Sequence, residues 1–168
     1  GRRHQIPVVT AIVGPSFGGS SFISGLSDFV VQVDGTCLAV TSPNVIEVAT
    51  GEAVSMEELG GTRVHSKRTG QVDQTVETAA QAHEAIRKFL SYLPSNAWSR
   101  APRANPSPRV HNPALSEIVP QDRRKSYDIR DLIGAITDES SFFELGGGFA
   151  RSLVTGLGHI DGHPVGIL

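Results

Sequence analysis

Seven consecutive residues, Gly14-Pro15-Ser16-Phe17-Gly18-Gly19-Ser20, hold the strongest chemical signal in the sequence. They follow an apolar, β-branched run from Ile6 to Val13 and precede a stretch in which Phe22, Ile23 and Leu26 recur at helical spacing. They therefore lie where a buried strand hands over to a helix. The first amides of a helix have no acceptor inside it. Amides around Gly18 and Gly19 would aim at negative charge developing on a carbonyl oxygen, with the helix dipole adding attraction. Glycine also leaves room for a substrate beside the backbone. A second chemistry fits the same residues. Gly14-x-Ser16-x-Gly18 has the form of a nucleophile elbow, with Ser16 as the attacking hydroxyl of an α/β-hydrolase. A third reading is a tight strand-to-helix turn whose glycines serve packing alone. The local pattern leaves all three open.

Other chemistry-bearing residues read as structural. His159 and His163 flank Asp161, but across a tight turn a spacing of four does not bring two imidazoles to one face as it would on a helix, so they are expected to be turn residues and no metal is expected. His65 follows Gly60-Gly61 and reads as a loop histidine, with the pocket wall as its alternative. Cys37 is the single cysteine, which excludes a disulfide framework and a multi-cysteine zinc site, and its apolar neighbours mark it as an inert core thiol. Gly146-Gly147-Gly148 lacks the Lys and Ser/Thr of a phosphate loop and reads as a turn.

The elements that must position these residues alternate between strand and helix periods, so the class is α/β. After the first strand and helix come a strand at Phe29–Val33, a turn at Asp34-Gly35 and a further strand at Cys37–Val40. Ser42-Pro43 opens a short helix that stops near Gly51, and Ser55-Met56-Glu57-Glu58 is a capping box closed by Gly60-Gly61. The longest helix is predicted over about Thr75 to Leu93, with Val76, Ala79, Ala80, Ile86, Phe89, Leu90 and Leu93 on its apolar stripe, covering a sheet. Prolines 102, 106, 108 and 113 then mark a linker. Asp128 caps a helix through Ile136, and Ser152–Ile160 and Val165–Leu168 flank an Asp161-Gly162 hairpin turn. The chain has 168 residues, 39% of them apolar and 19% charged, enough to bury a core. The net charge of −2 gives no case for nucleic acid, and no apolar run approaches the roughly 18 residues of a membrane helix, so the expected setting is the cytoplasm without nucleic acid or membrane partners. The chain opens without methionine on a run that looks like an interior strand, as a piece of a longer protein would.

A collinear set of motifs then becomes visible. Ile6-Pro-Val-Val, Gly14-Pro-x-x-Gly18-Gly19, Ser27-Asp28-Phe29, Ser42-Pro43-Asn44-Val45, Glu52, Glu58-Leu59-Gly60-Gly61 and His65-Ser66 resemble the carboxyltransferase β subunits of biotin-dependent acyl-CoA carboxylases, of the propionyl-CoA and acetyl-CoA type. Leu90-Ser-Tyr-Leu-Pro94, Ile118-Val-Pro120, Tyr127-Asp128, Phe142-Phe-Glu144 and Gly162-x-Pro164-Val-Gly-Ile167 continue the likeness. The resemblance implies a crotonase-like β-β-α superhelix, with parts of two such domains: 1–97 the later part of an N-terminal domain, 98–112 a proline-rich linker and 113–168 the beginning of a C-terminal domain. It implies carboxyl transfer from carboxybiotin to the α-carbon of an acyl-CoA, with the enolate oxygen held by the amides of Gly18 and Gly19. Biotin itself or its released carboxylate would act as base, so Ser16, Phe17 and Ser20 become pocket-lining residues and Ser16 needs no nucleophilic role.

This chain departs from the family in carrying Ser16-Phe17 before the glycine pair, where small residues are common, so Phe17 reshapes the acyl pocket in this reading. His159 stands where an arginine is common. The resemblance also implies biotin on a carrier protein as cofactor and biotin carboxylase and carrier subunits as partners. It implies a homo- or hetero-oligomer completed by a chain carrying the remaining domain halves, an isolated monomer being prone to aggregate. Arg100, Arg103 and Arg109, with Arg123-Arg124-Lys125, read as a solvated linker, with coenzyme A phosphates or an acidic partner as the alternative. The alternatives to carboxyl transfer are a biotin-independent acyl-CoA decarboxylase on the same fold, the Ser16 hydrolase and a non-catalytic subunit fragment.

Overall fold

A computed structural model describes residues 6–105, 115–122 and 124–168. The chain divides into two compact units, Gly1–Leu90 with Gly146–Ser152, and Ser91–Leu145 with Leu153–Leu168.

The first unit is built on a parallel sheet of order β1-β2-β3, comprising β1 (Val9–Ile12), β2 (Phe29–Val33) and β3 (Gln74–Val76). All five β2 side chains are buried, as a central parallel strand covered on both faces requires. The expected first strand forms, but at one edge of the sheet and only half-buried, so the fully buried position belongs to β2. Helix α1 (Gly19–Gly25) makes the crossover from β1 to β2. Its apolar stripe is turned outward: Phe22, Ile23 and Leu26 are 59%, 63% and 58% exposed, while Ser21 and Ser24 are the buried residues. The two hydroxyls bond back to the carbonyls of Gly18 (2.6 Å) and Ser20 (2.9 Å), so they enter the interior already satisfied, and their small size lets the helix approach closely.

Between β2 and β3 the chain makes a long excursion. Helix α2 (Pro43–Thr50) starts at Ser42 with proline at its first position and ends on Gly51 in the left-handed region, as its punctuation predicts. Helix α3 (Met56–Gly60) carries the full capping box, with Ser55 Oγ accepting from the Glu58 amide and the Glu58 carboxylate accepting from the Ser55 amide. Two readings are corrected here. Cys37–Val40 does not form a strand of the sheet: it makes an isolated parallel bridge, Leu38 with Ser16. His65 is not a loop residue: Gly60-Gly61 stops α3 as expected, but beyond it the chain forms α4 (Thr62–Val64) and a π-helical turn, His65–Thr69, so His65 is helical. Gly61, extended at φ −70° and ψ 171°, ends α3 as its C-cap and opens α4 as its N-cap.

The long helix is also shorter than expected. Residues 74–76 pair with β2 as strand β3, and α5 runs Ala79–Ser91. Its buried face is Ala82, Ala85 and Phe89, while Ala79, Ala80 and Leu90 are exposed, a rotation of the stripe set by Phe89 stacking on Phe29 of β2 (centroids 4.7 Å, 9°). The Asp73 carboxylate accepts the Val30 amide at 2.8 Å, and Gly146 returns to the unit by donating to the Asp73 carbonyl at 3.0 Å.

The second unit contains α6 (Leu115–Ile118), α7 (Ile129–Ile136) and an antiparallel sheet of β4 (Phe143–Leu145), β5 (Thr155–Ile160) and β6 (His163–Ile167). Asp128 caps α7 by accepting the Arg130 amide at 2.9 Å. The predicted hairpin turn is present, with positive φ at both Asp161 (54°) and Gly162 (76°), the pair a type I′ turn demands. The Asp138 carboxylate accepts both turn amides, at 3.0 and 2.7 Å. Arg103 donates to the Asp161 carbonyl and carboxylate, so this linker arginine is committed to the turn. Arg109, Arg123 and prolines 106, 108 and 113 lie outside the described residues.

Candidate active site at the glycine turn

The turn after β1 is tied to the Cys37–Val40 segment by a short parallel ladder. Ser16 N–H donates to the Cys37 carbonyl (2.7 Å), Ala39 N–H donates to the Ser16 carbonyl (3.0 Å), and Gly18 N–H donates to the Val40 carbonyl (2.9 Å). Gly18 then adopts φ 66°, ψ −132°, a conformation in which a Cβ is badly placed and only glycine is at ease. That rotation ends the ladder and starts α1, with Gly18 as its N-cap. The two glycines so predicted come together, but their amides differ in state. Gly18's is consumed by Val40, whereas those of Gly19 and Ser20, at the first two helical positions, find no acceptor among the described residues. A Cβ built on Gly18 or Gly19 meets nothing within 4 Å, so the backbone here faces open space. Helix α1 has seven residues. A helix so short adds little field, and the attraction for a developing oxyanion comes from the free amides themselves.

The three predicted lining residues divide. Ser16 and Ser20 border a cavity of about 430 Å³ that continues along Thr10–Pro15 and past Ile23 and Ser24. Phe17 is half-buried outside that lining, and its carbonyl accepts the Ser20 hydroxyl at 2.9 Å. Ser16 Oγ donates to Ser20 Oγ at 2.9 Å, and among the described residues no histidine hydrogen-bonds to it. Ser16 also has ordinary backbone geometry, bridged to Leu38, where a nucleophile elbow would place the serine itself on a strained turn. The positive φ is at Gly18, two residues too late.

A second cavity of about 380 Å³ opens on the other side of α1 between Phe22, Leu26, Leu38, Val40 and His65. His65, read from sequence as a loop residue with the pocket wall as its alternative, lies at this wall. Its Nε2–H donates to the Leu38 carbonyl at 2.6 Å, and Nδ1 faces the Thr69 hydroxyl at 3.1 Å. Sequence reasoning missed this contact because a π-helical turn has no sequence signature comparable to a cap.

The remaining candidates stay apart from the turn. Cys37 is buried, and burial, with a smaller contribution from the Glu57 charge, pushes its thiol above the ordinary range, so it is protonated and unreactive. His159 corrects its reading as a turn residue: it is on β5, buried, with its ring stacked on Tyr92 at 4.7 Å, whereas His163 lies exposed on β6. Strand β5 runs to Ile160, which keeps His159 inside the ladder. Among the described residues no three acidic, cysteine or histidine side chains are grouped to hold a metal, and no helix is long and apolar enough to cross a membrane.

Comparison with known proteins covers nearly the whole chain. The carboxyl transferase domain family matches residues 2–168. The chain is 41% identical over 166 residues to the propionyl-CoA carboxylase carboxyltransferase subunit of Haloferax mediterranei, covering 97% of this chain and 32% of that protein. It is 37% identical to the methylmalonyl-CoA carboxyltransferase 12S subunit of Propionibacterium freudenreichii, covering 97% of this chain and 31% of that protein. Among solved structures, the transcarboxylase 12S hexamer with methylmalonyl-coenzyme A and methylmalonic acid bound superposes with a TM-score of 0.91 at 36% identity, over 98% of this chain and 32% of that one. A single-chain, multi-domain long-chain acyl-CoA carboxylase superposes with a TM-score of 0.83 at 26% identity. The fold is thus the α/β crotonase-like fold of these carboxyltransferases. The chain spans about a third of the length of the curated relatives it matches.

Proposed function

The chain belongs to the carboxyl transferase domain family, and we propose that the whole protein transfers a carboxyl group from carboxybiotin to the α-carbon of an acyl-CoA. The observation that carries this reading is the pair of open amides at Gly19 and Ser20, presented to free space by a turn whose preceding residue, Gly18, is pinned to Val40. In the proposal the thioester oxygen accepts from Gly19 as the α-proton leaves and the charge moves onto oxygen. A fixed donor at that point stabilises the enolate more than the ground-state carbonyl. Gly18 contributes the conformation rather than a donor. Ser16 and Ser20 form the wall, their hydroxyls occupied with each other and with the Phe17 carbonyl, and neither has the chemistry of a base. Carboxybiotin, delivered by a carrier protein, supplies the carboxyl group and takes up the proton. No described residue is assigned to it.

The same reading takes residues 1–97 as the later part of an N-terminal carboxyltransferase domain, 98–112 as a linker and 113–168 as the beginning of a C-terminal domain. Biotin carboxylase and biotin carrier subunits are its partners, and the site is completed within a homo- or hetero-oligomer. The outward apolar face of α1 supports an assembled state, since Phe22, Ile23 and Leu26 present contiguous apolar surface to the surroundings.

The test runs the transfer in reverse. Full-length protein carrying this sequence, given malonyl-CoA or methylmalonyl-CoA, should consume it only when free biotin is present as carboxyl acceptor, and avidin should suppress the reaction. Consumption without biotin would replace the proposal with an acyl-CoA decarboxylase on the same fold, and no consumption in either condition would contradict it.

A further inference from the structure

We infer that His65 is a positioning residue for the glycine turn, acting through the Leu38–Val40 segment; the catalytic consequence rests on the carboxyl-transfer reading, the structural one does not. Leu38 is buried, and its backbone is held from two directions. Its carbonyl accepts His65 Nε2–H at 2.6 Å, and its amide donates to the Gly60 carbonyl at 2.8 Å. Gly60 is in turn fixed by Gln32, whose Nε2 donates to the same Gly60 carbonyl at 2.9 Å from the fully buried centre of β2. The approach is so close that any Cβ on Gly60 would overlap the Leu38 carbonyl oxygen and carbon. On its other side this segment carries the ladder that ends at the turn: Leu38 bridges Ser16, and Val40 accepts from Gly18. Wherever Val40 moves, the Gly18 hinge and the Gly19 amide next to it must follow.

The carbonyl of Leu38 can only accept, so the contact fixes a proton on Nε2 of the imidazole. Its side-chain partner, Thr69, lies at the far end of the same π-helical turn, and Gly70 closes that turn in the left-handed region. The widened turn is thereby locked at both ends around the ring that clamps Leu38. Single-turn π-helical segments are frequent at functional sites. A Leu at this position keeps comparable bulk against the pocket but removes the donor, whereas Gln can place an N–H near the Nε2 position.

The experiment compares wild type, His65→Leu and His65→Gln in the full-length protein. Two readouts are used: kcat and KM for carboxyl transfer, and hydrogen exchange at the Gly18 amide with global stability measured alongside. His65→Leu should lower kcat between about tenfold and a hundredfold, with KM for the acyl-CoA changing less than about threefold, because the donor is displaced rather than removed. Gly18 exchange should speed up about tenfold or more without an equal loss of global stability. His65→Gln should restore both. Unchanged kcat and Gly18 exchange in His65→Leu, or Gln behaving like Leu with a matching fall in stability, would overturn the inference. Should wild type lack transferase activity while Gly18 exchange still follows the donor, the clamp stands and the functional reading fails.

Discussion

At Gly18 the backbone stands at φ 66° and ψ −132°, and a side chain has open space around it, so conformation alone decides what is tolerated there. Gly18→Ala is expected to cost on the order of 1–3 kcal/mol of stability from backbone strain, read as a lower urea midpoint, with transferase activity falling as the turn relaxes. Retained stability would mean that the ladder to Val40 does not hold Gly18 in this conformation. Gly60 is the opposite case: its φ imposes nothing, but a Cβ would collide with the Leu38 backbone. Neither partner is the end of a flexible side chain, so Gly60→Ala should also lose about 1–3 kcal/mol and loosen the same turn. Ser16→Ala removes only a hydroxyl bonded to Ser20. Its turnover should stay within a few-fold of wild type, and a fluorophosphonate should leave Ser16 unlabelled; labelling there would revive the hydrolase chemistry.

Among the elements, α5 packs on β2 through an aromatic stack, Phe89 on Phe29, both buried. Phe89→Ala should destabilise the first unit by roughly 3–5 kcal/mol, seen as a denaturant midpoint shift at unchanged slope. Asp73, which caps the Val30 amide at the junction of β2 and β3, has its carboxyl raised above the ordinary range, mainly by burial. Its folded state binds the proton more tightly than its unfolded state, so stability declines as pH rises from the ordinary carboxylate range through the raised value and is flat above it. Asp73→Asn, which keeps an acceptor for Val30, should flatten that segment of the pH–stability curve. An unaltered curve would show that Asp73 is not the titrating group.

The elements also show how far the sequence could be read. Local signals announced these elements: Pro43 fits the first position of α2, Ser55 with Glu58 and Asp128 accept the orphan amides of α3 and α7, and Asp161-Gly162 supplies the positive φ angles of its hairpin turn. The failures all depended on distant partners. Residues 74–76 include the β-branched Thr75 and Val76, which suit a strand, but only the ladder offered by β2 separates them from the helical period that follows. Cys37–Val40 has strand composition but only the turn at Ser16 to pair with. The apolar stripe of α1 faces outward because its serines are the small, self-satisfied residues that fit against the sheet. At the site, the pattern located the glycine pair, but the unequal state of the two amides depends on the Val40 carbonyl, twenty-two residues on, and no local pattern reveals that.

For the molecule as a whole, the exposed apolar face formed by Phe22, Ile23 and Leu26 is the surface that the proposed assembly would cover. Replacing Phe22 and Ile23 together by Ser should shift native mass spectra of the full-length protein toward smaller species with its circular dichroism unchanged; an unshifted distribution would place the subunit contacts elsewhere. Whether the amide of Gly19 holds the enolate oxygen during the proposed carboxyl transfer is decided by one pair of variants. Proline is accepted at the first position of a helix and deletes the N–H, whereas alanine keeps it. The measurement is biotin-dependent consumption of malonyl-CoA or methylmalonyl-CoA by Gly19→Pro and Gly19→Ala side by side, each checked for folding. Gly19→Pro should lose about a hundredfold or more in kcat while Gly19→Ala keeps most of its activity; equal turnover in two folded variants would show that the Gly19 amide does not hold the oxygen.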